Sequence, residues 1–412
     1  MNSIAPSPRR VWSAEGYSHV PYWLYTDPAI FEREMARIFC GPNWSFVGFS
    51  AELPEPGCFK TTHIGNRSVV ISRNREGELR GFVNRCAHRG VKFCRERLGK
   101  TNRFTCPYHQ WTYDLNGDLK GVPFQGGVKG QGGMASDFDP KQHGLQQLRI
   151  TEHHGVVFAS FDHTTENFLD YLGETNRYYF ERVFDGRDIR ILGYTRQLIP
   201  GNWKLMFENI KDPYHASLLH VFLVTFGLFR ADQESQTKMD PTGRHGLLIS
   251  RRGTQTATEH TKDIANLRTD FKLRDARLLD PVKEFKDSAT VVMQTLWPNL
   301  IIQQQSNTLA MRQIQPRSPG EFELSWTFFG YADDDEAMTL RRLRQANLMS
   351  ASGLVSGDDS EVIKLAQDGL GAYPDSEALL AMGGYDTHDE DHMVTEAAIR
   401  AFYKHYRAVM EL

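Results

Sequence analysis

Cysteine and histidine crowd into one stretch, NRCAHRGVKFCRERLGKTNRFTCPYHQW, residues 84–111. They form two close pairs, Cys86-x-His88 and Cys106-x-x-His109, with Cys94 between them. Thiolate sulfur and imidazole nitrogen suit zinc or the irons of an iron–sulfur centre. Two Cys and two His could close a structural zinc site. They could also place two sulfurs on one iron and two imidazoles on the other of a [2Fe-2S] centre, which needs two such loops. Each pair lies between strand-like runs and not beside a finger-like helix. Gly90 follows the first pair, where backbone can approach sulfur, and Trp111 follows the second, where it can close off solvent. This pattern favours iron–sulfur.

A second group of ligand types stands in GNWKLMFENIKDPYHASLLHVF, residues 201–222. On a helix, Asp212 and His215 share a face, whereas His215 and His220 are about 140° apart. One ion can take both histidines only if the segment is bent or irregular. Pro213 supplies a cause, either by kinking a helix or by standing first in a helix that Asp212 caps. Two neutral imidazoles and one carboxylate form the facial set that leaves iron(II) with open positions for dioxygen. The carboxylate is sought in GLVSGDDSEVIKLAQDGL, residues 353–370. There Asp359 lies near the centre of an apolar stripe made by Val355, Val362, Ile363, Ala366 and Leu370. A carboxylate on such a face is costly unless a cation holds it. Asp358, about 100° away, is left to help cap the helix.

The elements that must position these groups fall into regimes. From about 40 to 160, short alternating runs such as SVVISRN, LRGFVNR and GVVFASF are separated by turn residues, as in small antiparallel sheets. QGGVKGQGGMAS, within that region, lacks a phosphate-loop ending and reads as a surface loop. From 190 to 330, SATVVMQTLW, NLIIQQQS, TLAMRQIQP and EFELSWTFFGY read as a meander. Helical patterns follow, ending in MVTEAAIRAFYKHYRAVMEL. The chain has 412 residues, room for more than one core. Its net charge of -3 gives no bias toward nucleic acid or anionic membrane. No apolar run suits a membrane helix, the N-terminus lacks a secretory pattern, and a cytoplasmic location is expected. Five cysteines are too few and odd in number for a disulfide framework. Cys40, Cys58 and Cys94 read as small buried hydrophobes, and His63 as a surface strand residue. His153-His154 and DTHDEDHM have metal-binding composition, the latter in what reads as a solvated loop.

Cys86-Ala-His88-Arg-Gly and Cys106-Pro-Tyr-His109-x-Trp resemble the Rieske cluster motif of the ring-hydroxylating non-haem iron oxygenases. Asn209, Asp212, His215 and His220 are similar to that family's N-x-x-D-x-x-H-x-x-x-x-H segment, and SGDDSE to its D-D-x-E segment. The resemblance runs from about residue 20 onward. It implies one [2Fe-2S] cluster on Cys86, His88, Cys106 and His109, and one mononuclear Fe(II) on His215, His220 and Asp359. It also implies that Asp212 links an iron-bound histidine to a cluster histidine of a neighbouring subunit, with Asn209 beside it. The implied fold is α+β: an all-β Rieske domain at 41–162, then a helix-grip catalytic domain at 163–412 with a curved antiparallel sheet and long helices. Residues 1–40 should pack on the latter. Implied partners are dioxygen, a ferredoxin and/or reductase passing electrons from NAD(P)H, a ring of three alpha subunits and a small beta subunit.

The nearest likeness is to the branch acting on aromatic carboxylates such as salicylate, anthranilate and terephthalate. Hydroxylation of a salicylate-like acid is therefore the expected activity, with cis-dihydroxylation of anthranilate or terephthalate as the alternative. A Rieske electron carrier joined to a ligand-binding domain is the non-enzyme alternative. An anionic substrate calls for a cation in the pocket. Arg312 shares strand parity with Ala310 and Ile314 and is the candidate, against a salt bridge across the sheet; Arg400 is second.

Overall fold

The computed structural model describes residues 11–13, 16–252, 267–268, 270–351 and 353–412. The chain enters through strand β1 (His19–Pro21) and helices α1 (Trp23–Thr26) and α2 (Pro28–Glu34). Asp27 caps α2 by accepting from the Ala29 N–H, with Pro28 in the first position, where its missing donor costs nothing.

A β region follows. It comprises β2 (Ser45–Phe49), β3 (Cys58–Ile64), β4 (Arg67–Arg73), β5 (Leu79–Val83), β6 (Leu98–Lys100), β7 (Phe104–Thr105), β8 (Thr112–Tyr113), β9 (Leu119–Gly121), β10 (Arg149–His153) and β11 (Val156–Ser160). These strands form antiparallel sheets in the orders β10-β11-β2, β5-β4-β3-β6 and β7-β8-β9. Phe59, Phe82, Phe93, Phe104 and Tyr113 make a small core of their own beneath the loops that carry the Cys/His pairs.

Helix α3 (Phe168–Val183) leads to a large antiparallel sheet. Its strands are β12 (Ile189–Ile199), β13 (Ser235–Met239), β14 (Gly246–Ser250), β15 (Val291–Leu296), β16 (Leu300–Gln305), β17 (Thr308–Ser318) and β18 (Glu321–Tyr331), ordered β12-β18-β17-β16-β15-β14-β13. The four runs read as a meander are β15 to β18. Register places Leu248, Met293 and Gln303 abreast, and likewise Ile301, Arg312 and Trp326. Directly paired residues share a face, so one side of this sheet carries Leu248, Met293, Gln303, Arg312 and Trp326 together.

That face is covered by α4 (Trp203–Lys211), α5 (Pro213–Leu219), α6 (Val221–Thr225), α7 (Glu336–Met349) and α8 (Leu354–Ala372). The chain ends with β19 (Glu377–Leu379), which pairs with β1, and α9 (Ala397–Met410). Trp12, Trp23, Leu24 and Phe31 from the N-terminal segment share one core cluster with Phe402 and Tyr406 of α9.

Two devices fix α4 and α8. The buried Glu34 carboxylate accepts from Lys204 Nζ at 2.6 Å, Trp203 Nε1 at 2.8 Å and the Tyr406 hydroxyl at 2.6 Å, tying α2, α4 and α9 together. Removing one partner from such a buried set costs about 3–5 kcal/mol. Helix α8 is set by polar contacts to β12 and α4. Ser356 donates to Gln197 at 2.6 Å, Gln197 donates to Ser360 at 3.0 Å, and the Asn202 N–H donates to Gln367 at 2.7 Å. A Cβ at Gly201 would stand 2.5 Å from Ile363, so α8 approaches there because the residue is glycine. The buried stripe of α8 runs Ser356, Asp359, Ile363 and Leu370. Ala366, expected within it, is exposed and Val355 is half-buried, because β12 meets the helix on the Ser356 side.

Candidate functional site

The two Cys/His loops are built alike. The Cys86 N–H donates to the Val91 carbonyl at 2.9 Å, and the Gly90 N–H donates back to the Cys86 carbonyl at 2.9 Å. In the second loop the Cys106 N–H donates to Trp111 at 2.9 Å and the Gln110 N–H donates to Cys106 at 3.0 Å. Each closing turn passes through positive φ, at Gly90 (72°) and Gln110 (56°). The sulfurs of Cys86 and Cys106 are buried, whereas His88 is exposed and His109 half-buried. The two imidazole rings lie 4.7 Å apart, and His88 stacks on Trp111 at 4.7 Å. The Tyr113 hydroxyl accepts from the Ala87 N–H at 3.1 Å and lies 3.2 Å from Cys86 Sγ. Burial pushes the Cys106 thiol up, and a bound metal is what makes such a thiol a thiolate.

A closed zinc site would bring all four donors to one point. Among the described residues, the group of three or more donors within one ion's reach is a different one: His215, His220 and Asp359. The loops instead offer a buried thiol pair and a rim imidazole pair, the donor arrangement that suits a two-iron cluster.

Asp212 and His220 organise the second group. α4 stops at Lys211, and Asp212 Oδ1 accepts from the N–H groups of Tyr214 (2.9 Å) and His215 (3.2 Å), with Pro213 first in α5. Of the two roles open to Pro213, the structure takes the capped start. α5 then stops at Leu219, and His220 (φ -86°, ψ 75°) is itself the break before α6. This second break turns the His220 ring back toward His215, leaving the ring centroids 5.4 Å apart.

Asp359 Oδ1 lies 3.2 Å from His220 Nε2 and 3.6 Å from His215 Nε2, and the three donor atoms are all within 4.8 Å. Each imidazole has its outer nitrogen beside a carboxylate, Asp212 at 3.5 Å from His215 Nδ1 and Asp358 at 3.3 Å from His220 Nδ1. The Asp358 contact is a hydrogen bond of the kind that fixes the His220 tautomer and aims its Nε2 inward, while Asp212 flanks His215 Nδ1 as a charge. Asp358 therefore does not cap α8 as expected. Gly353 precedes that helix without a side-chain cap, and Asp358 sits in its second turn against His220. Asn209 Nδ2 donates to Asp359 at 3.1 Å and lies 3.4 Å from His215 Nε2.

Burial alone would lower His215, but hydrogen bonds and charge from Asp212 and Asp359 raise it to about 10. Burial alone would raise Asp359, yet the hydrogen bonds of the two histidines hold it far below the carboxylate range. Three carboxylates, Asp212, Asp358 and Asp359, thus stand against two imidazoles. Two inward nitrogens, one carboxylate oxygen and this charge balance fit a ferrous ion.

Above the triad is a cavity between the helices and the sheet face. Leu223, Phe229, Leu248 and Met293 give it apolar walls, and Gln303, Gln305 and Arg312 stand on one side. Arg312 is only 3% exposed, with its guanidinium 4.3 Å from the centre of the Trp326 ring. Its Nη1 donates to Gln303 Oε1 at 3.3 Å, Nη2 faces Met206 Sδ at 3.5 Å, and Nε has no partner. Among the described residues no carboxylate pairs with it, so the expected alternative of a salt bridge across the sheet is not what is found. Burial lowers it to about 10, with Asp359 opposing, so it stays charged near neutrality.

Other sequence candidates fall elsewhere. Arg400 donates to the carbonyls of Asp386, Leu380 and Met382 and serves the backbone. His153 pairs with Glu181 at 3.0 Å and stacks on His154. His388 and His392 are exposed, as the solvated-loop reading of DTHDEDHM requires. Cys94 is buried, while Cys40, Cys58 and His63 are half-buried; burial lowers His63 to about 4. The residues that sequence reasoning passed over are Gln303 and Gln305. Their signal was present in LIIQQQ, where alternate glutamines of a buried strand must face a pocket or a partner.

Comparison with known proteins covers both regions. The Rieske [2Fe-2S] domain model matches residues 43–131, and the ring hydroxylating alpha subunit catalytic-domain model matches residues 169–412. The chain is 50% identical over 405 residues to the salicylate 5-hydroxylase large oxygenase component of Ralstonia sp, covering 97% of this chain and 96% of that one. It is 42% identical over 396 residues to the anthranilate 1,2-dioxygenase large subunit of Burkholderia cepacia, covering 95% and 93%. In fold it is similar to naphthalene 1,2-dioxygenase from Rhodococcus sp., with TM-score 0.78, 24% identity, and 95% and 94% of the two chains covered.

Proposed function

This chain belongs to the ring-hydroxylating alpha-subunit family, which joins a Rieske [2Fe-2S] domain to a non-haem iron catalytic domain, and on that footing we propose that it hydroxylates an aromatic carboxylate of the salicylate type. The observation that carries this reading is Arg312, a buried cation without an acid partner among the described residues, lining the same cavity as the His215, His220 and Asp359 triad. A buried charge of this kind is costly unless a ligand completes it. A benzoate carboxylate would complete it, and the 50% identity to a salicylate 5-hydroxylase component supports the same choice.

When bound, a cluster on Cys86, Cys106, His88 and His109 supplies electrons one at a time, and Fe(II) on His215, His220 and Asp359 supplies dioxygen activation. The chain's own residues do the rest. Arg312 binds the carboxylate, and the apolar walls hold the ring and exclude water. Asp212 and Asp358 hold the outer nitrogens of the two iron-binding histidines. Asn209 donates to Asp359 and keeps that oxygen turned inward. We further assign Asp212 and the rim imidazole His109 to an electron contact between neighbouring subunits. That contact calls for a ring of three alpha subunits, alone or with small beta subunits. Electrons then come from NAD(P)H through a ferredoxin and/or reductase, in the cytoplasm. The proposed division assigns 41–162 to the cluster and 163–412 to the iron, with residues 1–40 packed on the latter.

The test is turnover of 2-hydroxybenzoate by metal-loaded protein with a reductase system, with product identification. The same donor set serves cis-dihydroxylation of anthranilate or terephthalate, and counting oxygen-18 atoms in the product separates one inserted oxygen from two. Arg312→Met is expected to lower kcat/KM for aromatic carboxylates by roughly 10²–10³-fold, with iron content and visible spectrum unchanged. Undiminished turnover in Arg312→Met would remove the carboxylate reading.

A further inference from the structure

We infer that Arg312, Gln303 and Gln305 form a wall that presents only hydrogen-bond donors, and that this wall selects a ring substituent able to accept a hydrogen bond over one that can only donate. The inference rests on the proposed aromatic-carboxylate function and adds to it the chemistry of a second substituent.

The argument begins with a group that cannot reverse. A guanidinium donates and never accepts. Arg312 Nη1 lies 3.3 Å from Gln303 Oε1, which fixes the oxygen of that amide toward the arginine. The NH₂ of Gln303 must then point the other way, and it donates to Gln305 Oε1 at 3.1 Å. Gln305 Oε1 is turned toward Gln303, so its own NH₂ points away, and among the described residues that NH₂ has no partner. Flipping either amide would set N–H against N–H and lose a buried hydrogen bond, roughly a tenfold penalty in population.

The strand register makes this order possible. Gln303 and Gln305 are two apart on β16 and share a face, opposite Ala310 and Thr308 of β17. Ala310 has no polar side chain, and the buried Thr308 hydroxyl makes no hydrogen bond to either amide among the described residues. Gln304 points to the other side of the sheet and donates to the carbonyls of Thr290 and Ser306. Both Gln303 and Gln305 line the cavity with Arg312, and the facing walls are largely apolar. A carboxylate takes the free donors of Arg312. A hydroxyl oxygen on the ring can accept from Gln305 Nε2. An aromatic amine can only confront it, because its lone pair is delocalised into the ring. The same cavity therefore favours a hydroxylated benzoate over the matching aminobenzoate.

The test is ligand binding to the oxidised, metal-loaded protein by calorimetric titration, without turnover. Probes are benzoate, toluene and the matched pairs 2-hydroxy/2-aminobenzoate and 3-hydroxy/3-aminobenzoate. At least one hydroxybenzoate should bind about tenfold more tightly than its amino partner. Gln305→Leu should abolish that ratio. Gln305→Glu, which keeps the side-chain shape and replaces the free donor with an acceptor, should reverse it. Gln303→Leu should shrink it by releasing the Gln305 amide to turn. If the hydroxy/amino ratio is near one in the parent protein, or survives all three substitutions, the donor wall is wrong while carboxylate recognition stands. If benzoate binds no better than toluene and Arg312→Met changes neither, carboxylate recognition itself is wrong.

Discussion

The two candidate metal regions use the same amino-acid chemistry in opposite ways. Around Cys86 and Cys106, the ligand types come from one short stretch, and backbone hydrogen bonds repeated in each loop set their positions. The imidazoles stand at the rim and the sulfurs lie inside. Around Asp359, the ligand types come from distant segments, and side chains set their positions: Asp212, Asp358 and Asn209 each hold a neighbour. Here His220 and Asp359 lie inside, with Asp359 only 2% exposed, and His215 is half-buried. A rim suits exchange of electrons with another protein. A largely buried triad beside an apolar cavity suits chemistry from which water must be kept away. The lesson is that a loop can encode a ligand set locally, whereas a buried triad needs its supporting shell to be folded first.

The strongest way to break this comparison is to remove one site and look at the other. Asp359→Ala should take turnover to background and lower the iron content, while visible absorption of the cluster persists. Cys106→Ala should abolish the absorption and turnover but leave the mononuclear iron bound. Metal analysis together with absorption spectra checks both, and loss of both signals in either variant would show that the sites are not independent.

A weaker contrast uses His245, a buried histidine that serves packing. Its Nδ1 accepts from the Trp297 N–H at 3.1 Å and its Nε2 donates to the Tyr171 carbonyl at 2.8 Å, so it is held as one neutral tautomer. Burial lowers it to about 3, with Asp240 opposing. The unfolded chain, titrating near 6.5, takes up this proton first. Its contribution to stability is therefore full above pH 6.5 and is lost as pH falls toward 3, by up to ~1.4 kcal/mol per pH unit. His405, lowered by burial to about 4, acts in the same direction. His245→Gln keeps one donor and one acceptor but removes the titration, so its melting temperature should fall less steeply with acid than that of the parent protein.

The smallest expected effect compares the two loops. At Gly90 (φ 72°) an added Cβ would meet only Arg85 side-chain atoms at 3.9 Å, so Gly90→Ala should cost about 1 kcal/mol from backbone strain alone. Denaturant unfolding of the metal-loaded protein measures it. A much larger loss would show that this loop tolerates less than its twin, which already carries Gln110 at φ 56°.

The same contrast explains what the sequence disclosed. The Cys/His pairs were legible because their geometry is local. The five-residue spacing of His215 and His220 announced an irregular helix, but two solutions for Pro213 remained, and neither placed a break at His220. Asp358 looked like a capping residue because nothing in the sequence shows that His220 will face it. Strand parity put Arg312 ahead of Arg400, but only the fold gives one of them a cavity and the other backbone carbonyls. The glutamines of β16 were passed over in the sequence, and it is register that sets alternate members beside Arg312.

The pairing of β1 with β19 carries a consequence for how the molecule is made. Among the described residues, a strand near the front of the chain has its one hydrogen-bonded neighbour near the back, and Trp12 packs edge-on against Tyr403 of α9. During synthesis the leading aromatic residues must wait, uncovered, until almost the whole polypeptide has left the ribosome. Loss of the final helix would consequently expose the opening segment as well, and a short deletion at one end would be felt at both.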